Sequence, residues 1–186
     1  MMNYTKWNDP KTYGRMTAEL ASYTVPENPV FAAREDEHIE HSRVQYCMTS
    51  VDELHELLDI VDLAIVDAVA VSKYLNSLQI FEYITLRGYD TDRPKLRKRI
   101  LKLMKYRVIQ ENEMVSAGAE HGLKYYELDY FGYQLAMEHG VNFHMGNRYM
   151  SFSKRREKGM SDDTACDVKR ILVGNQIILN LLMSNT

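Results

Sequence analysis

Eight basic side chains and no acidic one fall between Arg93 and Arg107. Four are arginines, whose guanidinium groups can bond a guanine edge or a phosphate through two N–H groups at once, and four are lysines, which act more as point charges. The formal net charge of the 186-residue chain is −3, so removing these eight leaves the rest at −11. Positive charge concentrated in this way points to a polyanionic partner. The spacing adds a direction. On a helical wheel Leu96, Ile100, Leu103 and Met104 share one apolar arc, while Lys95, Lys98, Arg99, Lys102 and Lys105 fall on the other side. Asp92 suits the N-cap of such a helix, and Pro94 suits its first turn, where the missing N–H is no loss. An ordinary solvated helix face has the same signature, so the neighbouring elements must decide.

Other residue sets offer less. His38 and His41 with Glu37 and Glu40 resemble half a metal site without a third ligand at a supporting spacing, and His139 and His144 flank a glycine-containing turn. Both groups read as surface histidines. No phosphate-cradling glycine loop, nucleophile elbow or zinc-protease helix is present, so the reading is non-enzymatic, with no cofactor and no metal. Cys47 and Cys166 are too far apart for a metal or redox motif and read as free thiols. Nothing in the sequence marks a small-molecule ligand.

The elements that must position the basic segment come next. With 45% hydrophobic residues the chain supports one main domain with extensions. Residues 1–50 form a polar, proline-broken arm in which only Glu35–Arg43 suggests short helix. Val51–Ile60 is expected to be a helix opened by a Ser50/Glu53 capping box. The apolar run Asp62–Leu75 suits a helix or a buried strand, with length and the following Asn76-Ser77 favouring helix. Ser77–Arg87 continues as helix to Gly88. Beyond the basic segment, Val108–Val115 and Leu123–Asp129 have strand patterning around the glycine-bearing Ser116–Gly122, which predicts a hairpin. A helix over Tyr130–His139, a basic linker at residues 141–160 and a C-terminal helix over Ser161–Met183, begun at Asp162 and Asp163, complete the chain.

The order helix, helix, basic helix, hairpin, helix resembles a winged helix-turn-helix domain over Asp62–Gly140, within a domain spanning residues 51–140. The phrases Leu96-Arg97-Lys98-Arg99-Ile100-Leu101-Lys102-Leu103 and Lys124-Tyr125-Tyr126-Glu127-Leu128-Asp129-Tyr130-Phe131-Gly132 are similar to phrases common in bacterial winged-helix proteins. Val168-Lys169-Arg170-Ile171-Leu172-Val173-Gly174-Asn175-Gln176 is similar to a helix of the replication-relaxation group of plasmid and conjugative-element proteins. The fold class expected is therefore mainly α with a small antiparallel β-hairpin.

The resemblance implies a recognition helix at Asp92–Arg107 and a wing tip at Ser116–Gly122, with double-stranded DNA as partner. Thr91, Arg93, Lys95, Lys98, Arg99, Lys102 and Lys105 are the expected contacts, with Arg99 the foremost base reader and Lys124 reaching from the wing. Glu111, Glu113 and Glu120 weaken the wing. Lys154, Arg155, Arg156 and Lys158 read either as a second phosphate contact or as linker. The apolar stripe Val168, Ile171, Leu172, Ile178, Leu179 and Leu182 suits a homodimer or packing within the chain, and Asn175 inside it either fixes register or bonds a local loop. No apolar run spans a bilayer and no signal-peptide core is seen, so a cytoplasmic protein is expected. Transcriptional regulation, or replication or transfer control on a mobile element, is the expected role. A protein-interaction adaptor on the same scaffold is the alternative.

Overall fold

The computed structural model describes residues 37–42, 44–115, 122–143 and 164–185, all within the unit Asp36–Thr186. The arm before Glu37, the hairpin tip at residues 116–121, the linker cations Lys154 to Lys158, His144, Asp162 and Asp163 lie outside the described residues. Among those described, the chain is mainly helical with a three-stranded antiparallel sheet.

Capping residues set the helix starts. Ser50 opens α1 (Val51–Leu57) with the capping box to Glu53. The sequence suggests one helix to Ile60, but α1 stops at Leu57 and Asp59 starts a second helix, α2 (Ile60–Ser72). The reason is local. The Asp59 carboxylate accepts from the Val61 and Asp62 N–H groups, and Asp62 caps the Asp59 N–H in return. Residues 62–72 are thus helix rather than buried strand. Asn76 opens α3 (Ser77–Leu86), and the chain leaves it through Gly88 at φ +80°, a backbone state that glycine adopts without penalty. Asp92 accepts from the Lys95 N–H to open α4 (Arg93–Lys105), with proline in the first turn.

After α4, Arg107 takes φ +55° and the chain turns into β2 (Ile109–Val115) and then β3 (Leu123–Leu128). They pair antiparallel from Ile109 with Leu128 to Met114 with Leu123. A further strand precedes the helices in sequence. His38–His41 forms β1 and pairs with the other edge of β2, His38 opposite Val115 and His41 opposite Asn112. Over His38–His41 this corrects the expectation of short helix within Glu35–Arg43 and brings that part of the expected arm into the sheet. Ile39 joins an apolar cluster, and β2 supplies the backbone partners that a four-residue helix could not supply for itself.

Leu75, between α2 and α3, exchanges both backbone hydrogen bonds with Tyr126 of β3 at 3.2 and 2.8 Å. That bridge ties the helices to the hairpin. The main core fills the space between them with residues such as Ile65, Val69, Ile80, Ile84, Leu103 and Ile109. α5 (Tyr130–Glu138) closes one side, and Gly132 lets it approach so near that a Cβ there would stand 2.0 Å from the Val108 carbonyl oxygen.

The C-terminal helix α6 (Ala165–Met183) begins at Thr164, which forms a capping box with Asp167. Its first half packs on the sheet through Ala165, Val168 and Leu172, against Tyr74, Met114 and Tyr125. The intramolecular alternatives for this helix are realised. Gln79 of α3 donates to the Leu172 carbonyl at 2.6 Å, and Asn175 donates to the Ser72 and Tyr74 carbonyls at 3.0 and 2.8 Å. Asn175 therefore bonds a local loop. The last turns of α6 keep Leu179 buried and leave Ile177, Ile178, Leu181 and Leu182 exposed.

Candidate nucleic-acid interface

The apolar arc of the basic segment docks α4 on the core: Leu96, Ile100, Leu103 and Met104 are all buried. Four buried aliphatic side chains, each contributing about 1.5–3 kcal/mol relative to exposure, fix the helix in rotation and aim its other side outward. Asp92 is held below the usual carboxylate range by the Lys95 backbone N–H that it accepts. The ionised cap also meets the positive end of the helix dipole.

The outward side does not hold the whole expected set. Arg99 turns along the helix flank. Its Nη1 donates to Asp59 Oδ1 and Oδ2 at 2.7 and 2.6 Å and to Asp62 Oδ1 at 2.8 Å. Lys102 Nζ donates to Asp62 Oδ2 at 2.8 Å and to the Leu57 carbonyl at 2.6 Å. The side chain of Asp62 is 0% exposed, against 27% for Arg99 and 34% for Lys102. A fully buried carboxylate needs such partners, since an uncompensated one is strongly destabilising. Burial pushes Asp59 up, but Arg99 and the Asp62 and Val61 N–H groups outweigh it and hold Asp59 below its ordinary range. Arg99, expected as the foremost base reader, and Lys102 thus fasten α4 to the start of α2.

Thr91 is half-buried, and its hydroxyl oxygen is enclosed with no hydrogen-bond partner among the described residues. It does not present a donor to solvent. Lys95 is exposed and lies 3.4 Å from Asp92. Lys124 is exposed on β3, but its Nζ contacts Glu111 at 2.9 Å and Glu113 at 3.9 Å. The Glu111 carboxylate raises the Lys124 ammonium above its ordinary value. For Glu111, burial acts upward and is outweighed by bonds from Lys124, Tyr126 and Ser42, which leave the carboxyl below its usual range. Burial, reinforced by Glu111, pushes the Tyr126 phenol up.

Arg93, Lys98 and Lys105 remain exposed, and none has an ion pair among the described residues. Arg93 lies over the Phe81 ring at 5.9 Å. The structure adds Arg97, exposed on the same helix and near enough to Lys124 and Tyr126 to influence both. On the wheel Arg97 falls beside Met104 at the margin of the apolar arc, which is why spacing alone does not single it out. Arg93 and Arg97 lie one turn apart along the edge of α4 nearer β3, whereas Lys98 and Lys105 occupy the outermost face.

Cys47 and Cys166 are not joined to each other in a disulfide. His38 lies 3.1 Å from Glu40, and His41 bonds Asn112 at 2.7 Å. Among the described residues no group of three or more His, Cys, Asp and Glu side chains is arranged to hold a metal ion, and no helix is long and apolar enough to cross a membrane. No family model, curated protein or solved structure matches the chain.

Proposed function

We propose that this chain is a winged-helix protein that binds double-stranded DNA by laying α4 in the major groove. The observation that carries the reading is the set Arg93, Arg97, Lys98 and Lys105, four exposed cations without an ion-pair partner among the described residues, on a helix whose opposite face is locked into the core. The element order supports it: α2, the Leu75 bridge, α3, α4 and then the β2–β3 hairpin follow one another as in winged helix-turn-helix domains. The acidic balance elsewhere disfavours DNA on other surfaces and so orients the complex. Arg97 takes the place of Arg99 as the base reader of this reading, and Lys98 and Lys105 meet phosphates.

The biological reading is control of transcription, or of replication or transfer of a mobile element, in the cytoplasm and as a homodimer. The uncharged run Gly174–Thr186, with Ile177, Ile178, Leu181 and Leu182 exposed on α6, supports self-association, since like charges would not oppose the pairing of two copies.

The test is duplex titration by fluorescence anisotropy at 50 and 200 mM salt. With Arg97 on a base edge and Arg93, Lys98 and Lys105 each neutralising one phosphate, the logarithmic salt slope is about −2.7 per chain, an affinity loss of about 40-fold over this interval. Joint replacement of Lys98 and Lys105 by alanine should bring the slope to about −0.9. Affinity insensitive to salt, or a slope unchanged by the double replacement, would overturn the reading and favour the adaptor. Selection of sites from random duplexes then tests half-site symmetry, and light scattering tests the two-chain mass.

A further inference from the structure

We propose that the groove between α4, α3 and the β2–β3 hairpin is a binding site for a small amphipathic carboxylate, a hydrocarbon body with one anionic end. The groove encloses about 770 Å³, within the range of small-molecule sites. Its apolar wall is built by Val44, Leu78, Phe81, Ile100, Leu101 and Met104. A hydrocarbon chain gains from leaving water along such a wall.

The polar lining decides the sign of the ligand. The groove carries four charged side chains, Arg93, Arg97, Lys124 and Glu111, for a net +2. Glu111 is already engaged: it accepts from Lys124 at 2.9 Å, Ser42 at 3.0 Å and the Tyr126 hydroxyl at 2.9 Å. Lys124 and Glu111 therefore compensate each other, and the excess charge belongs to Arg93 and Arg97. Two guanidinium groups one turn apart in the lining of an apolar groove suit a single carboxylate, which accepts from both while its tail lies along the wall. Arg93 is steadied over Phe81, so less of its freedom is lost on binding.

This site goes beyond the DNA reading and does not depend on it, because Lys98 and Lys105 do not line the groove. The two are linked only in that an occupant neutralises Arg93 and Arg97 and so weakens the hold of α4 on a polyanion.

Calorimetric titration with decanoate, without DNA, tests the site. Acetate serves as the head group alone and decyltrimethylammonium as the cationic counterpart of equal chain length. One decanoate per chain is expected, with both controls at least about tenfold weaker, and with Arg93→Gln and Arg97→Gln each weakening decanoate about tenfold. Leu78→Trp, at a position 43% exposed and tolerant of bulk, should fill the apolar end and abolish binding with the far-ultraviolet circular dichroism unchanged. Equal binding of decanoate and decyltrimethylammonium, or decanoate affinity indifferent to the arginine replacements, overturns the proposal. So does a two-chain mass that Leu78→Trp converts to one chain without any decanoate binding, which would make the groove an interface between copies. Failure of DNA binding in the Lys98 and Lys105 variants leaves this result untouched.

Discussion

Arg99→Ala and Lys98→Ala remove neighbouring cations from the same helix, yet the structure assigns them opposite consequences. Arg99 bonds Asp59, whose side chain is 52% exposed, and Asp62, which is fully buried. The exposed part of that interaction contributes about 0–1 kcal/mol, and the bond to the buried carboxylate about 1.5–3 kcal/mol. Lys102 remains on Asp62 and keeps the loss within their sum, so Arg99→Ala should cost roughly 1.5–4 kcal/mol. At about 2–4 °C per kcal/mol for a chain of this size, Tm should fall by roughly 3–16 °C. Lys98 has no such partner, and Lys98→Ala should change stability by no more than about 0.5 kcal/mol. The two assays are urea unfolding followed by circular dichroism and the salt dependence of duplex affinity. Lys98→Ala should lower the magnitude of the salt slope by about 0.9, and folded Arg99→Ala should leave it unchanged. A stable Arg99→Ala protein with a reduced salt slope would refute the assignment of Arg99 to the α2–α4 tie.

Three further outcomes test the packing and the electrostatics. Gly132→Ala drives a methyl group to 2.0 Å from the Val108 backbone oxygen, which cannot rotate away, and should destabilise by about 1–3 kcal/mol, measured as a lower urea midpoint. Asn175→Ala removes both bonds to the Ser72 and Tyr74 carbonyls and should cost about 1–3 kcal/mol, with proteolysis reporting an earlier release of α6. Asp59 and Glu111 both titrate below their ordinary ranges in the folded state. Their contribution is present above the unfolded carboxylate range, around pH 4, and is lost as pH falls through the folded values. The urea midpoint should therefore drop below about pH 4, and less steeply in Glu111→Gln.

Features written in local spacing were legible in the sequence. The buried arc Leu96, Ile100, Leu103 and Met104 follows from helical periodicity, and Ile109–Val115 and Leu123–Leu128 follow from strand patterning on either side of a glycine-bearing segment. Features that depend on distant partners were not. Arg99 meets Asp59 and Asp62 across 40 and 37 residues of chain, and neither aspartate reveals this until Asp59 is known to cap α2. A wheel therefore classes Arg99 as outward-facing simply because it is not apolar. Arg97 shows the converse: its wheel position borders the core, but a long side chain carries its charge toward Lys124 and Tyr126 of the hairpin. His38–His41 contains one aliphatic residue and no turn signal, so its strand exists only because β2 offers an edge.

That edge has a consequence in time. Joining β1 to β2 closes a loop of 71 residues between His41 and Asn112, whereas only seven residues of chain separate the end of β2 from the start of β3. The ordering cost of a long loop must be met before a four-residue ladder returns anything. The hairpin is therefore the template and β1 the late arrival, in a fold whose other contacts are mostly nearer in sequence. In the folded protein the same asymmetry makes β1 the first part of the sheet to open, and the Ser42 amide, bonded to the Glu111 carbonyl at 3.1 Å, should exchange its hydrogen ahead of the amides between β2 and β3.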